Sequence, residues 1–303
     1  MAPVTEYTTD DLVESAKLRG LIPKGTFDTA DLLRFATEEM RIDLVPLILS
    51  AREDYFTTYA DFATVVDSSD PSGKILGPFQ LPARAVANKA RLVQLVNGDG
   101  ATVEIGRIQL ETVPYERIGF FLRGNAVYVL NLGGTSYPSV RIYFYARLNR
   151  LVPVAEAAFV QSFNAPAKTI TLASVPTSWS GTASYDLIRA NPTFDAMASD
   201  QSATLASSTL TFTNALPSTL AVGDEVALAG TSAIVQLPVE FIPVLAQSIA
   251  CKALEAEGDR EGLQVAMARY EQMRRAALNL ITNRADGNPK HVVPVRSPWR
   301  QWR

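Results

Sequence analysis

Apolar positions near the two ends of the chain recur at spacings of three and four, and those between them alternate. This contrast predicts helices at both ends and strands in the middle. A helix opens at Pro238 with Val239, Glu240, Phe241 and Ile242, carries Leu245 and Ile249, and continues to about Glu257. Gly258 and Asp259 break it. A second helix carries Leu263, Ala266, Met267, Tyr270, Met273, Ala277, Leu280 and Ile281 on one face, opposite Arg260, Glu261, Gln264, Glu271, Gln272 and Arg275. One apolar and one polar side is the pattern of a helix packed on a core.

The N-terminal part repeats that pattern. Thr9, followed by Asp10 and Asp11, reads as a helix cap with acids in the first turn, where the helix dipole favours them. The helix closes at Arg19-Gly20, with Pro23 beyond. Asp28 starts a longer helix striped by Leu32, Phe35, Ala36 and Met40 and continued by Leu44, Leu47 and Ile48. Pro46 inside this run predicts a kink or break near Ile42–Val45.

Between them the period falls to two. Phe56–Val66, Leu76–Pro82, Arg91–Val96 and Thr102–Leu110 read as extended, with a turn cluster over Asp67–Gly73 and one or two helical turns over Ala83–Ala90. Asn97-Gly98-Asp99-Gly100 and Gly124-Asn125 predict tight hairpins. Val140–Arg147 alternates Arg141, Tyr143 and Tyr145 with Ile142, Phe144 and Ala146. After Leu151 the composition turns to Ser, Thr and Ala. Short strands are expected at Lys168–Ala173, Ser184–Arg189, Thr209–Thr213 and Asp224–Leu228, in a sandwich or barrel, with a featureless loop over Ser199–Ser208. The fold class expected is α+β: a bundle of N-terminal helices (1–54) and a C-terminal helical hairpin (237–284) around an inserted antiparallel β-rich domain (55–236, divisible at 152/153), with an extended tail (285–303).

Charge and chemistry narrow the function. A net charge of −3 and a hydrophobic fraction of 47% describe an ordinary globular chain and argue against a dedicated nucleic-acid binder. The single cysteine, Cys251, lies among apolar neighbours and reads as a small buried hydrophobe. The single histidine, His291, has no cluster of acids around it, so neither a nucleophilic triad nor a histidine-built metal site is expected. No phosphate-cradling glycine motif occurs. Asp67, Asp70 and Asp99 fall in turns, where turn hydrogen bonding accounts for them. No run is apolar enough to span a bilayer and no leader pattern opens the chain, so synthesis and assembly in the cytoplasm are expected. The tail stands out. Arg296, Trp299, Arg300, Trp302 and Arg303 combine bidentate donors with large anchors, residue types enriched in interface hot spots.

Several stretches together carry a resemblance. They are Leu81–Asn88 (Leu-Pro-Ala-Arg-Ala-Val-Ala-Asn), Gly119–Leu130, the aromatic Arg141–Arg147, and Leu237–Leu245 leading into Ala253–Asp259. They resemble neck-region proteins of tailed bacteriophages, and the helical ends are similar in plan to head-to-tail adaptors, also called connectors or head-completion proteins. The resemblance implies a structural, non-enzymatic virion protein without cofactor, located in the neck between capsid and tail. It implies a homo-oligomeric ring, a dodecamer, below the portal, with Phe241, Leu245, Ile249, Leu263, Met267, Tyr270 and Leu280 packing the ring wall. It implies that Asp286–Arg303 docks on the portal protein through the five tail residues. A downstream neck or tail protein would be the next partner. Double-stranded DNA would pass through the lumen without sequence-specific binding. A baseplate or fibre-attachment protein is the alternative of the same class. A polymer hydrolase using Asp186, Asp195 or Asp224 is the alternative from another class, although no paired-acid spacing marks it.

Overall fold

The computed structural model describes residues 8–23, 25–52, 54–70, 72–109, 118–131, 137–190 and 196–282. The fold is mixed α+β and includes a closed six-stranded barrel. The first helix, α1 (Thr9–Gly20), is capped by Thr8 rather than by Thr9. The Thr8 hydroxyl accepts from Asp11 N–H, and the Asp11 carboxylate accepts from Thr8 N–H, a reciprocal capping box. Thr9 is instead the first helical residue. It is buried, and its hydroxyl donates to Val152 O at 2.7 Å, which ties the start of α1 to the middle of the chain.

Asp28 caps α2 (Thr29–Glu39) by accepting from Asp31 N–H at 2.8 Å. The expected break near Pro46 is a π-helical segment, Met40–Leu44, after which the helix resumes as α3 (Val45–Ala51). Proline offers no N–H to the preceding turn and its ring crowds the carbonyl there, so the backbone widens by one residue instead of stopping. The widened turn keeps Leu32, Ala36, Met40, Leu44 and Ile48 all buried.

At the other end a short 3-10 turn, Val239–Phe241, leads into α4 (Ile242–Glu257). Gly258 ends α4 at φ 81, a conformation glycine adopts without strain. Asp259 then accepts from Gly262 N–H at 3.0 Å at the start of α5 (Arg260–Thr282). Helices from both ends share one apolar cluster that includes Leu12, Leu32, Met40, Phe241, Leu245, Ile249 and Tyr270.

Seven strands follow α3: β1 (Thr57–Ala63), β2 (Ile75–Gln80), β3 (Ala85–Val96), β4 (Thr102–Ile105), β5 (Ile118–Arg123), β6 (Ala126–Asn131) and β7 (Ser139–Ala146). They make two antiparallel sheets, β1-β7-β3-β4 and β2-β6-β5. Residues from both sheets, including Phe79, Val93, Leu95, Phe120, Val129 and Ile142, bury together. In β7 the alternation holds, with Val140, Ile142 and Phe144 buried and Arg141, Tyr143 and Tyr145 half-buried. The predicted helical turns at Ala83–Ala90 are absent; β3 begins there. Ala87 and Asn88 sit at φ 53 and φ 51 and bulge the strand, while pairing with β7 supplies the hydrogen bonds that override local helix preference.

Beyond β8 (Arg150–Leu151), six strands close the barrel in the order β10-β13-β12-β11-β14-β9. They are β9 (Ala158–Asn164), β10 (Thr169–Leu172), β11 (Thr182–Ile188), β12 (Ala196–Ala206), β13 (Thr209–Phe212) and β14 (Glu225–Leu228). Its core holds Val160, Ile170, Trp179, Tyr185, Leu210, Phe212 and Val226. The featureless loop expected at Ser199–Ser208 is largely strand β12. Its small polar side chains carry little strand signal, yet its backbone pairs with both β11 and β13. A last short strand, β15 (Thr231–Ser232), runs parallel to β8 and hands the chain back to α4. Among the described residues no helix is long and apolar enough to cross a membrane.

Candidate functional site

The two-sheet region, the barrel and the helices meet around Arg84. After β2 the chain turns at Pro82, whose carbonyl accepts from Ala85 N–H at 2.8 Å, and Arg84 sits in this turn at the entry to β3. Arg147 N–H donates to Arg84 O, joining the end of β7 to the same point. The Arg84 guanidinium spans three separate pieces of chain. Nη2 donates to both oxygens of Asp186 on β11, at 2.7 and 2.6 Å, and Nη1 donates to Asn149 Oδ1 at 2.8 Å. Nε donates to Asp200 Oδ2 on β12 at 2.9 Å.

Asp186 has no exposed surface. Besides Arg84 it accepts from Asn149 Nδ2, Asp200 N–H and Gly230 N–H, each at 2.9 Å. A buried carboxylate is tolerated only when its charge is paired and its lone pairs are filled, and both conditions hold. Burial by itself would lower the Arg84 pKa; its hydrogen bonds to Asp200 and Asp186 and the charges of those carboxylates outweigh it and leave the pKa raised. Arg84 therefore keeps its charge within the cluster.

A cleft of about 930 Å³ opens beside this cluster. Arg52, Tyr55 and Tyr59 line one side, Met197 and Asp200 the barrel side, and Leu280 the end of α5. Arg52 is paired with Asp54 at 2.9 Å, so two of the arginines in the cleft wall, Arg52 and Arg84, already have carboxylate partners. No pair of free carboxylates faces across it among the described residues that line it. The wall offers aromatic and aliphatic surface beside these paired arginines.

Two further polar clusters hold the helices. The Tyr270 hydroxyl on α5 lies 2.7 Å from both Glu39 Oε1 and Asp43 Oδ2, and Arg274 Nη2 donates to Asp43 Oδ1 at 2.9 Å. Asp43 belongs to the π segment, so the widened turn brings it to α5 alongside Glu39. Burial and then these acceptors raise the Tyr270 pKa, and the phenol stays protonated. Glu225, at the start of β14, is wholly buried and accepts from Ser232 Oγ and Ala233 N–H. Burial pushes its pKa up to about 7 against the pull of those bonds.

The residues singled out from the sequence fall in different places. Phe241, Leu245 and Ile249 are fully buried in the helical cluster, Tyr270 is buried, and Leu263 packs at its margin. Met267 and Leu280 are corrections: they are 50% and 68% exposed. Met267 follows Ala266, and one residue turns roughly 100° around a helix, which takes it off the buried stripe. Leu280 precedes buried Ile281 by one residue, so it also lies off the stripe, in the wall of the cleft rather than in the core. Arg296, Trp299, Arg300, Trp302, Arg303, His291 and Asp195 lie outside the described residues. Asp186 serves the Arg84 cluster, and Asp224 accepts from Ala190 and Ala221 N–H, so each has a structural partner. Asp67, Asp70 and Asp99 accept from backbone N–H groups of their own turns, and the hydrogen bonds from Ser72 hold Asp70 down to about 2. Cys251 is buried, and burial pushes its thiol pKa up.

No protein-family model matches the chain, and no curated protein matches it in sequence. Sequence reasoning missed Arg84, Asn149 and Glu225. One signal was readable: an arginine in a proline-flanked turn between apolar strands must find an acceptor or reach solvent. Which acceptor it finds depends on a carboxylate 102 positions later, which no local pattern reveals.

Proposed function

We propose that the protein is a structural component of a tailed-phage virion, a head-to-tail adaptor that assembles as a ring below the portal and lets DNA pass. In this reading α4 and α5 act as a helical hairpin that closes with the N-terminal helices into a bundle and forms the ring wall. The tail 286–303 docks on the portal protein, with Trp299 and Trp302 as anchors and Arg296, Arg300 and Arg303 pairing with acidic groups. A downstream neck or tail protein meets the β-rich part. Assembly takes place in the host cytoplasm, and the lumen does not grip the duplex.

The observation that carries this reading is the outward surface of the helices. Val265 on α5 and Leu18 and Leu21 at the end of α1 are 73%, 70% and 87% exposed. Leu18, Leu21 and Arg269 border one shallow depression, so α1 and α5 present this surface side by side. Single exposed apolar residues are ordinary, but a cluster of them on neighbouring helices marks a contact face. A subunit whose core is built from both chain ends can carry such a face without unfolding.

The test is electron microscopy of the full chain mixed with portal particles. The expected result is a ring bound beneath the portal, lost on deleting 286–303 while the circular dichroism spectrum is retained. A ring found at the distal end of the tail, or docking unchanged by the deletion, overturns the proposal.

A further inference from the structure

Three arginines converge on the connector between the two-sheet region and the barrel. Arg41 comes from the π segment, Arg147 follows β7, and Arg150 opens β8. Arg41 Nη2 donates to Leu148 O at 3.2 Å, which lays its guanidinium on the stretch that carries the other two. The three side chains are close enough to feel one another. Burial lowers the Arg41 pKa, and the charges of Arg147 and Arg150 lower it further. Arg147 and Arg150 are exposed, and none of the three forms an ion pair among the described residues. Like charges gathered without a carboxylate repel one another, and an anionic surface that covers them removes that repulsion.

The same chain carries a surface of the opposite sign. The turn between α4 and α5 exposes Glu255, Glu257, Asp259 and Glu261 around a single Arg260. None of these carboxylates is in an ion pair among the described residues. The two surfaces belong to different sides of the helix that carries Arg41. Glu39 and Asp43 face α5 through Tyr270, and Lys252, one turn before Glu255, reaches Glu38 and Glu39 at 3.5 and 3.6 Å. Arg41 stands two residues from each of Glu39 and Asp43, about half a turn away, and faces the connector instead.

We propose that Arg41, Arg147 and Arg150 receive the acidic α4–α5 turn of a second copy of this chain. Two different complementary patches make a heterologous, head-to-tail contact, the kind that closes into rings. This inference rests on the reading of the protein as a ring subunit and names the polar contact that sets its direction. The apolar surface of α1 and α5 supplies area, and the charges fix register and suppress wrong pairings.

The test is sedimentation of the full chain at low and high salt, with Arg147→Glu/Arg150→Glu, with Glu257→Arg/Glu261→Arg, and with all four changes together. Exposed positions are chosen so that the fold survives, which circular dichroism checks. Wild type is expected to assemble, more weakly at high salt. Each paired reversal is expected to weaken assembly about tenfold or more, and the fourfold variant to regain it. Wild type that assembles while the reversals change nothing overturns this contact and leaves the ring reading standing. Reversals that weaken assembly without recovery in the fourfold variant overturn the pairing. Loss of double-stranded DNA binding in Arg147→Glu/Arg150→Glu with assembly intact assigns the patch to nucleic acid instead. A wild type that stays monomeric at every concentration overturns both readings.

Discussion

Arg84 donates a two-oxygen hydrogen bond to Asp186, a carboxylate with no exposed surface 102 positions further along the chain. The pair pins the turn before β3 to the wall of the barrel, and Asn149 and Asp200 complete it. Removing one partner leaves a buried charge uncompensated, at a cost of about 3–5 kcal/mol. Arg84→Met is therefore expected to lower the urea midpoint strongly. Arg84→Met combined with Asp186→Leu should lose less than the sum of the two single changes, because the pair acts as a unit. An Arg84→Met midpoint within error of wild type would refute the role given to this cluster.

Trp179 and Tyr185 make the opposite case inside the barrel. Their rings pack 5.0 Å apart, but Trp179 Nε1 and the Tyr185 hydroxyl have no hydrogen-bond partner among the described residues. A buried hydroxyl without a partner costs free energy, and deleting it can be neutral or stabilising. Tyr185→Phe is expected to raise the melting temperature or leave it unchanged, corresponding to a gain of up to about 1 kcal/mol. A clear loss in calorimetry would mean that the hydroxyl is satisfied by bound solvent.

Tyr270 has one hydroxyl hydrogen and two carboxylate oxygens at 2.7 Å. Hydrogen bonds to charged groups are stronger than neutral ones, so Tyr270→Phe should cost roughly 1–2 kcal/mol. The loss should be local. Amide exchange is expected to quicken along α5 and around Met40–Leu44, while β9–β14 keep their protection. Equal acceleration throughout the chain would show that Tyr270 acts on global stability and not as a clasp between α5 and the π segment.

These clusters show what a sequence can and cannot reveal. The stripe Leu32, Ala36, Met40 and the disruption near Pro46 were legible because each follows from neighbours within one helical turn. The hairpins at Asn97-Gly98 and Gly124-Asn125 were legible for the same reason. Strand β12 was not, because Ser199–Ser208 has no local preference and is ordered by two distant partners, β11 and β13. Ala83–Ala90 misled because β7, not its own composition, decides its conformation. Met267 misled because an apolar residue at the margin of a stripe can face either way. Of the polar centres, Asp186 was visible only as an isolated acid. Arg84 and Asn149 acquire meaning through contacts spanning the barrel and the two sheets.

Glu225 makes stability depend on pH in the sense opposite to most carboxylates. It is wholly buried, and its pKa rises from 4.5 to about 7 in the folded chain. Below pH 4.5 it is protonated in both folded and unfolded chains, and its contribution is fully present. Between 4.5 and about 7 the folded chain holds a proton that the unfolded chain has released, so stability falls as pH rises. Above that the slope disappears, after a total loss on the order of 3 kcal/mol. The bonds that Glu225 accepts from Ser232 and Ala233 favour the ionised form and offset the burial only in part; the Ala233 carbonyl in turn accepts from Thr9 N–H at 2.8 Å at the start of α1. Glu225→Gln carries no charge at any pH and removes this slope. Urea unfolding of both proteins at pH 5 and pH 8 should show the wild-type advantage over the variant shrinking by about 2–3 kcal/mol between the two. Groups that titrate elsewhere cancel in that difference. A difference that does not move with pH would mean that Glu225 ionises in the folded chain as readily as in water.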